Sequence, residues 1–186
     1  MKRAGAIFLL VLFLSGCTDA SSELNRCMEL RSKLLKAETV NFSVDITADY
    51  GDKVHTFSMD CVGDAQGNMT FTVTAPETIS GITGKIADGD GSLTFDDTAL
   101  HFELLTDDML SPVSAPWILL KTLRSGYLTA AGMEEDQLRL TIDDSYEDDA
   151  LQLDIWLDGG DLPVRAEILH DGRNILSLTV TKFEIL

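Results

Sequence analysis

Two hydrophobic periods divide the chain. From Glu23 to Ala37 the apolar residues Leu24, Cys27, Met28, Leu30, Leu34 and Leu35 recur mostly at three- and four-residue steps, with Arg26, Arg31, Lys33 and Lys36 between them. That spacing predicts an amphipathic helix with one solvated face, and Ser21 or Ser22 can cap it. After the helix the period becomes two. Phe42, Val44, Ile46, Ala48 and Tyr50 alternate with polar residues, and Gly51-Asp52 turns the chain. Phe57, Met59 and Cys61 alternate next, and the segment Gly63 to Gly67 leads into Met69, Phe71, Val73 and Ala75. Three alternating runs joined by turn residues predict an antiparallel meander with one apolar face.

Pro76 ends the third run, and shorter strands are predicted at Ile82 to Ala87, Ser92 to Asp96 and Leu100 to Leu104. Ser111-Pro112 opens a second helical piece, Val113 to Ser125, with Trp117, Ile118, Leu120, Lys121 and Leu123 at helical spacing and Gly126 ending it. Alternation returns at Leu138 to Ile142, Leu151 to Leu157, Leu162 to Ile168 and Leu176 to Phe183. The pattern therefore reads as roughly ten strands with one helix at the start and one in the middle. A single sheet of that size must twist and curl or split. With two helices to cover one apolar face, the fold class is mainly β with two helices (α+β). Its sheet is a strongly curved antiparallel one forming a half-open barrel. A β-sandwich with helices at its edges is the alternative.

The first residues follow a different rule. Lys2 and Arg3 precede an uncharged apolar stretch, Ala4 to Leu14, of 11 residues. A spanning helix needs about 20, whereas a basic start, a short apolar run and small residues make a secretory signal. The run ends in Leu14-Ser15-Gly16-Cys17, which resembles the lipobox of bacterial lipoproteins. That resemblance implies cleavage before Cys17 and a diacylglyceryl group on its thiol. The expected organisation is thus a lipoprotein signal peptide at 1–16, a lipidated tether at 17–22 and a single domain at 23–186. The location implied is the extracytoplasmic face of the cell membrane.

Charge narrows the partners. The chain carries a net charge of −17, and removal of residues 1–16 takes away two basic residues and no acidic ones, leaving −19. Nucleic acid is excluded as a partner, because phosphate binding needs clustered Lys and Arg. Anionic headgroups repel such a chain too, so attachment to the membrane is expected through the covalent lipid on Cys17.

The chemistry of catalysis is not legible. His55, His101 and His170 are dispersed, no Gly-x-Ser-x-Gly elbow occurs, and no cysteine stands in a recognisable context with a histidine base. Asp88-Gly89-Asp90-Gly91 departs from a calcium loop, since Leu93 and Ala99 occupy the positions that need glycine and glutamate. The acidic run Asp143 to Asp149 reads as a solubilising loop. No enzyme activity, metal or cofactor is expected. Cys27 and Cys61 are either a disulfide closing a loop of 34 residues or two separate buried thiols. Trp156 interrupts a polar face, which makes it a candidate partner contact if exposed; packing beneath a loop is the other reading.

The order of parts carries one further inference. The lipobox, leading helix, strands, mid-chain helix and closing strands together resemble the LolA/LolB-like lipoprotein-carrier superfamily, which includes mycobacterial lipid-binding lipoproteins. Pro76-Glu77-Thr78-Ile79-Ser80-Gly81-Ile82, Leu93-Thr94-Phe95-Asp96, Ser111-Pro112-Val113 to Leu123 and Leu162-Pro163-Val164-Arg165-Ala166-Glu167 bring it nearest to lipoproteins of Firmicutes, including clostridial spore-germination lipoproteins. The resemblance implies a hollow for a lipid or acyl chain. Its candidate lining is Phe42, Val44, Phe57, Met59, Phe71, Phe95, Phe102, Trp117 and Leu120. The same side chains equally suit a filled core. The function implied is a lipid-anchored binding protein for a hydrophobic ligand; the alternative is a protein-binding lipoprotein that scaffolds or regulates an envelope or spore-cortex enzyme.

Overall fold

A computed structural model describes residues 19–51, 53–87, 90–95, 98–103, 105–106, 109–147 and 149–186, and for 19–21 and 95–109 the backbone only. Helix α1 (Asp19–Lys36) leads into β1 (Thr39–Asp49), β2 (Val54–Asp64), β3 (Met69–Ala75), β4 (Thr83–Ala87), β5 (Asp90–Phe95) and β6 (Thr98–Glu103). A short hairpin, β7 (Leu105–Thr106) and β8 (Met109–Leu110), precedes a 3₁₀ turn at Pro112–Ser114 and helix α2 (Ala115–Ser125). The chain closes with β9 (Tyr127–Glu134), β10 (Gln137–Asp143), β11 (Gln152–Leu157), β12 (Pro163–His170) and β13 (Arg173–Ile185).

Eleven strands make one antiparallel sheet in the order β6-β5-β4-β3-β2-β1-β13-β12-β11-β10-β9. It is two meanders joined at the centre, where β1 pairs with β13 from Val40 opposite Ile185 to Ala48 opposite Leu176. The sheet is open and curved, with β6 and β9 at opposite edges rather than closed on each other. This topology explains α2. The chain reaches one edge at β6 and resumes at the other edge with β9, so the connection must cross the sheet. It does so with its most apolar helix, which packs on β2, β10 and β13.

Alternation builds the core as the pattern predicts. Val40, Phe42, Val44, Ile46 and Ala48 of β1 are buried, as are Leu138, Leu140 and Ile142 of β10, and with the helices they form one continuous cluster. The polar face pairs across strands: Ser43 donates to Asp60 at 2.6 Å and Ser58 to Asp45 at 2.6 Å, the cross-strand contacts that stabilise a solvated face.

Three elements differ from the sequence expectation. Helix α1 begins at Asp19 rather than Glu23, so four of the six residues read as tether are helical. Strand β9 is not announced by the pattern, because Tyr127 to Glu134 lacks alternation and most of its residues are exposed or half-buried; an edge strand has less need of an apolar face. The hairpin β7–β8 falls where the polar Thr106-Asp107-Asp108 reads only as a break.

Candidate functional site

A developed depression lies beside α2. Nearly every residue of this helix is buried, and Trp117, Lys121 and Ser125 form the one less-buried stripe at four-residue steps. Along that stripe runs an open cleft of about 440 Å³, lined by Trp117, Leu120, Lys121, Arg124 and Ser125 from the helix and by Gln66 and Gly67 from the β2–β3 turn.

The turn is rigid for local reasons. The Asp64 carboxylate accepts from the backbone N–H of Gln66 and of Asn68, each at 2.9 Å, and from Asn68 Nδ2 at 2.8 Å. Burial works to raise the Asp64 carboxyl, but the hydrogen bonds from Asn68, Gln66 and Gly67 outweigh it and hold it below the usual range. Gly67 has φ +90°, the left-handed region glycine occupies without strain. Helix α2 then grips this turn at two carbonyls. Trp117 Nε1 donates to Gly67 O at 2.9 Å, and Arg124 Nη1 donates to Asp64 O at 2.7 Å. Between them Leu120 fills the place where Gly63 has no side chain, since a Cβ there would stand 2.3 Å from Leu120 Cδ2.

A second clamp fixes the far end of α2. Arg31 of α1 donates to Leu123 O at 3.0 Å and to Gly126 O at 2.8 Å, supplying donors and positive charge to carbonyls at the helix C-terminus. Helix α1 itself packs on α2 and β9, and Arg26 pairs with Asp161 at 2.7 Å.

The cleft has two chemical halves. Trp117 and Leu120 give an apolar wall. Lys121 Nζ lies 5.3 Å from the Trp117 ring centroid, and Arg124, 9% exposed, brings a second cation. Its Nε and Nη2 are buried without a hydrogen-bond partner among the described residues. Burial lowers the Arg124 pKa, against the pull of the nearby Asp64 charge.

The candidate lining residues separate into groups. Phe42, Val44, Phe57, Met59, Phe71 and Leu120 are buried side chains of the continuous core. Of the set, Trp117 and Leu120 border the cleft. Phe95 and Phe102 have side chains outside the described residues, as does Cys17 altogether. The turn residues Gln66 and Gly67 and the cations Lys121 and Arg124 join the site without standing in any motif. A signal exists for Arg124, which follows Trp117 and Leu120 at seven and four residues and so falls in register with apolar positions of the helix.

Two readings left open by the sequence are narrowed. Trp156 is 4% exposed and is no surface contact. Its ring lies between two guanidinium groups from the neighbouring strands, Arg165 at 4.3 Å and Arg139 at 5.3 Å from the centroid. Those side chains cover it by cation–π stacking, and Arg139 is anchored to buried Asp154 at 2.7 Å. Cys27 and Cys61 are free, buried thiols rather than a disulfide. The helix bearing Cys27 packs on α2 and β9, whereas Cys61 lies on β2, which α2 covers. Among the described residues no group of three or more His, Cys, Asp or Glu could hold a metal ion, and no helix is long and apolar enough to cross a membrane.

Comparison with known proteins adds the fold relationship. The structure is similar to that of a LolA superfamily protein from Nitrosomonas europaea, with TM-score 0.50 and 10% identity over 91% of this chain and 94% of that one. The fold is LolA-like. An uncharacterized conserved protein from Thermus thermophilus is similar over 86% of each chain, with TM-score 0.48 and 9% identity. Lipoprotein LppX from Mycobacterium tuberculosis matches over 87% of this chain and 93% of that one, with TM-score 0.41 and 15% identity. No protein-family model matches the sequence, and no curated protein matches it. The LolA-like arrangement places α2 across an apolar sheet face, and the cleft opens along that helix.

Proposed function

We propose that this chain is a lipid-anchored extracytoplasmic protein that binds a hydrophobic ligand, a lipid or acyl chain, at the α2 cleft. The observation that carries the reading is the cleft itself: about 440 Å³, within the size range of small-molecule sites, with an apolar wall of Trp117 and Leu120. The filled core beneath it favours a ligand lying along α2 over one sunk inside the sheet, since Phe42, Met59 and Phe71 belong to one contiguous packed cluster. The lipobox at Leu14 to Cys17 supports the anchor and the location. The reading as a scaffold for an envelope or spore-cortex enzyme loses its surface cue now that Trp156 is covered.

The test uses the full chain, processed in a lipidating host and reconstituted in vesicles of zwitterionic lipid. A photoactivatable long-chain alcohol is added, and adducts are mapped by mass spectrometry. The expected adducts fall on peptides containing 66–67 and 117–125, and Trp117→Ala depletes them. Labelling of the cleft no greater than that of the convex face overturns the reading.

A further inference from the structure

The cleft beside α2 is not simply greasy. Its apolar wall ends at Arg124 and Lys121, and none of its lining residues is acidic. In a chain of net charge −17, two adjacent cations facing one depression with no lining carboxylate run against the composition. The carboxylate associated with this corner is that of Asp64, and its oxygens are taken up by Gln66 and Asn68 within its own turn. Arg124 receives only the Asp64 backbone oxygen, through Nη1.

That leaves a cation nine-tenths buried whose Nε and Nη2 have no partner among the described residues. A buried donor without an acceptor costs about 1–3 kcal/mol, and more when charged. Proteins retain such a group where something else completes it. Resting on the hydrophobic-ligand reading above, we infer that the cleft selects anionic amphiphiles: a carboxylate or phosphate head held by Arg124 and Lys121, with the apolar tail along Trp117 and Leu120. The guanidinium suits this task because its planar fork binds two oxygens of one head at once. Nε and Nη2 are closed off from the cleft as the side chain stands, so the guanidinium must turn toward the head, exchanging its Nη1 contact to Asp64 O for oxygens of the ligand. Lys121 adds a mobile point charge at the exposed side, already positioned 5.3 Å from the Trp117 ring.

The same reconstituted protein tests this with two probes of equal chain length, a photoactivatable fatty acid and the corresponding alcohol. The acid is expected to label the cleft at about tenfold lower concentration than the alcohol, the effect of one charge-assisted contact. Arg124→Gln is expected to remove that advantage while alcohol labelling persists, which also reports that the variant folds. Lys121→Gln, at an exposed position, is expected to reduce the acid's advantage about threefold, in line with the weaker worth of an exposed ion pair. Inorganic phosphate and acetate are added as competitors without tails and are expected not to displace the acid at concentrations comparable to the probe, because they lack the apolar contact.

Equal labelling by acid and alcohol overturns the anionic selectivity and leaves the hydrophobic site standing. Failure of both probes to label the cleft overturns both readings. Displacement of the acid by inorganic phosphate at concentrations comparable to the probe overturns the amphiphile in favour of a free-anion site. If Arg124→Gln abolishes labelling by both probes, the Lys121→Gln result decides: an unchanged acid advantage overturns the inference, and a reduced one sustains it.

Discussion

Replacement of Gly63 by alanine probes the seat of α2 on the sheet. Gly63 is not in the left-handed region, so alanine suits its backbone and gains about 0.5–1 kcal/mol over glycine from reduced unfolded-state entropy. The new methyl, however, would stand 2.3 Å from Leu120 Cδ2, well inside the optimal carbon–carbon separation of about 3.5–4.0 Å. Overpacking of this kind costs about 1–3 kcal/mol, so the net loss is about 0–2.5 kcal/mol. Leu120→Ala alone removes a buried side chain and costs about 2–3 kcal/mol, the low end of the usual range because the site is part of a cleft wall. In the double variant the methyl introduced at position 63 occupies space that the leucine side chain vacated. The two losses are then non-additive, with the pair more stable than the sum by about 1 kcal/mol or more. Urea unfolding followed by far-UV circular dichroism measures all four proteins, and a 1 kcal/mol change corresponds to about 2–4 °C in Tm for a domain of this size. Additivity within about 0.3–0.5 kcal/mol would refute the close packing of Leu120 over Gly63 and with it this construction of the cleft.

Three further outcomes follow from the structure. Asp154→Asn weakens the charge-assisted contact to Arg139 and the acceptor for Thr141. The expected loss is about 1.5–2 kcal/mol because Arg139 is partly solvated, seen as a lower urea midpoint and greater acrylamide quenching of Trp156; an unchanged midpoint contradicts it. Burial raises the Cys27 thiol pKa, partly offset by Arg31, and raises that of Cys61 further with help from Asp60. Iodoacetamide at pH 8 should therefore modify neither in the native protein and both in urea, and a disulfide between them in the intact mass would count against the structure. Asp64 has a folded-state pKa below its unfolded value, so its contribution is complete above about pH 4 and fades as pH falls through the folded value. The stability gap between the native protein and Asp64→Asn should accordingly shrink on acidification from pH 5 downward; a gap that widens contradicts the hydrogen-bonded turn.

Much of this molecule follows from local pattern. Alternation in β1, β2, β3, β10, β12 and β13 announces both the strands and the face that each buries, because a period of two admits one apolar side. Helical spacing does the same for both helices. The apolar start ending at Cys17 is readable from its composition alone. Pattern fails where an element has no apolar face to declare, as in the edge strand β9, whose residues face water on much of both sides. It fails also at Trp156, where a polar-face position is legible but its neighbours are not: Arg139 and Arg165 lie on adjacent strands and close over the ring only once β10, β11 and β12 are in register.

The sequence by itself determined most of the elements, the apolar face and the absence of a recognisable catalytic motif. Only the tertiary structure decided that Cys27 and Cys61 are free, buried thiols, that most of the candidate lining is core, and that Arg124 shares a cleft with Trp117. The reason is physical: periodicity reports which side of an element avoids water. It carries no information about which distant residues meet there, or whether they fill the space against it or leave a cleft.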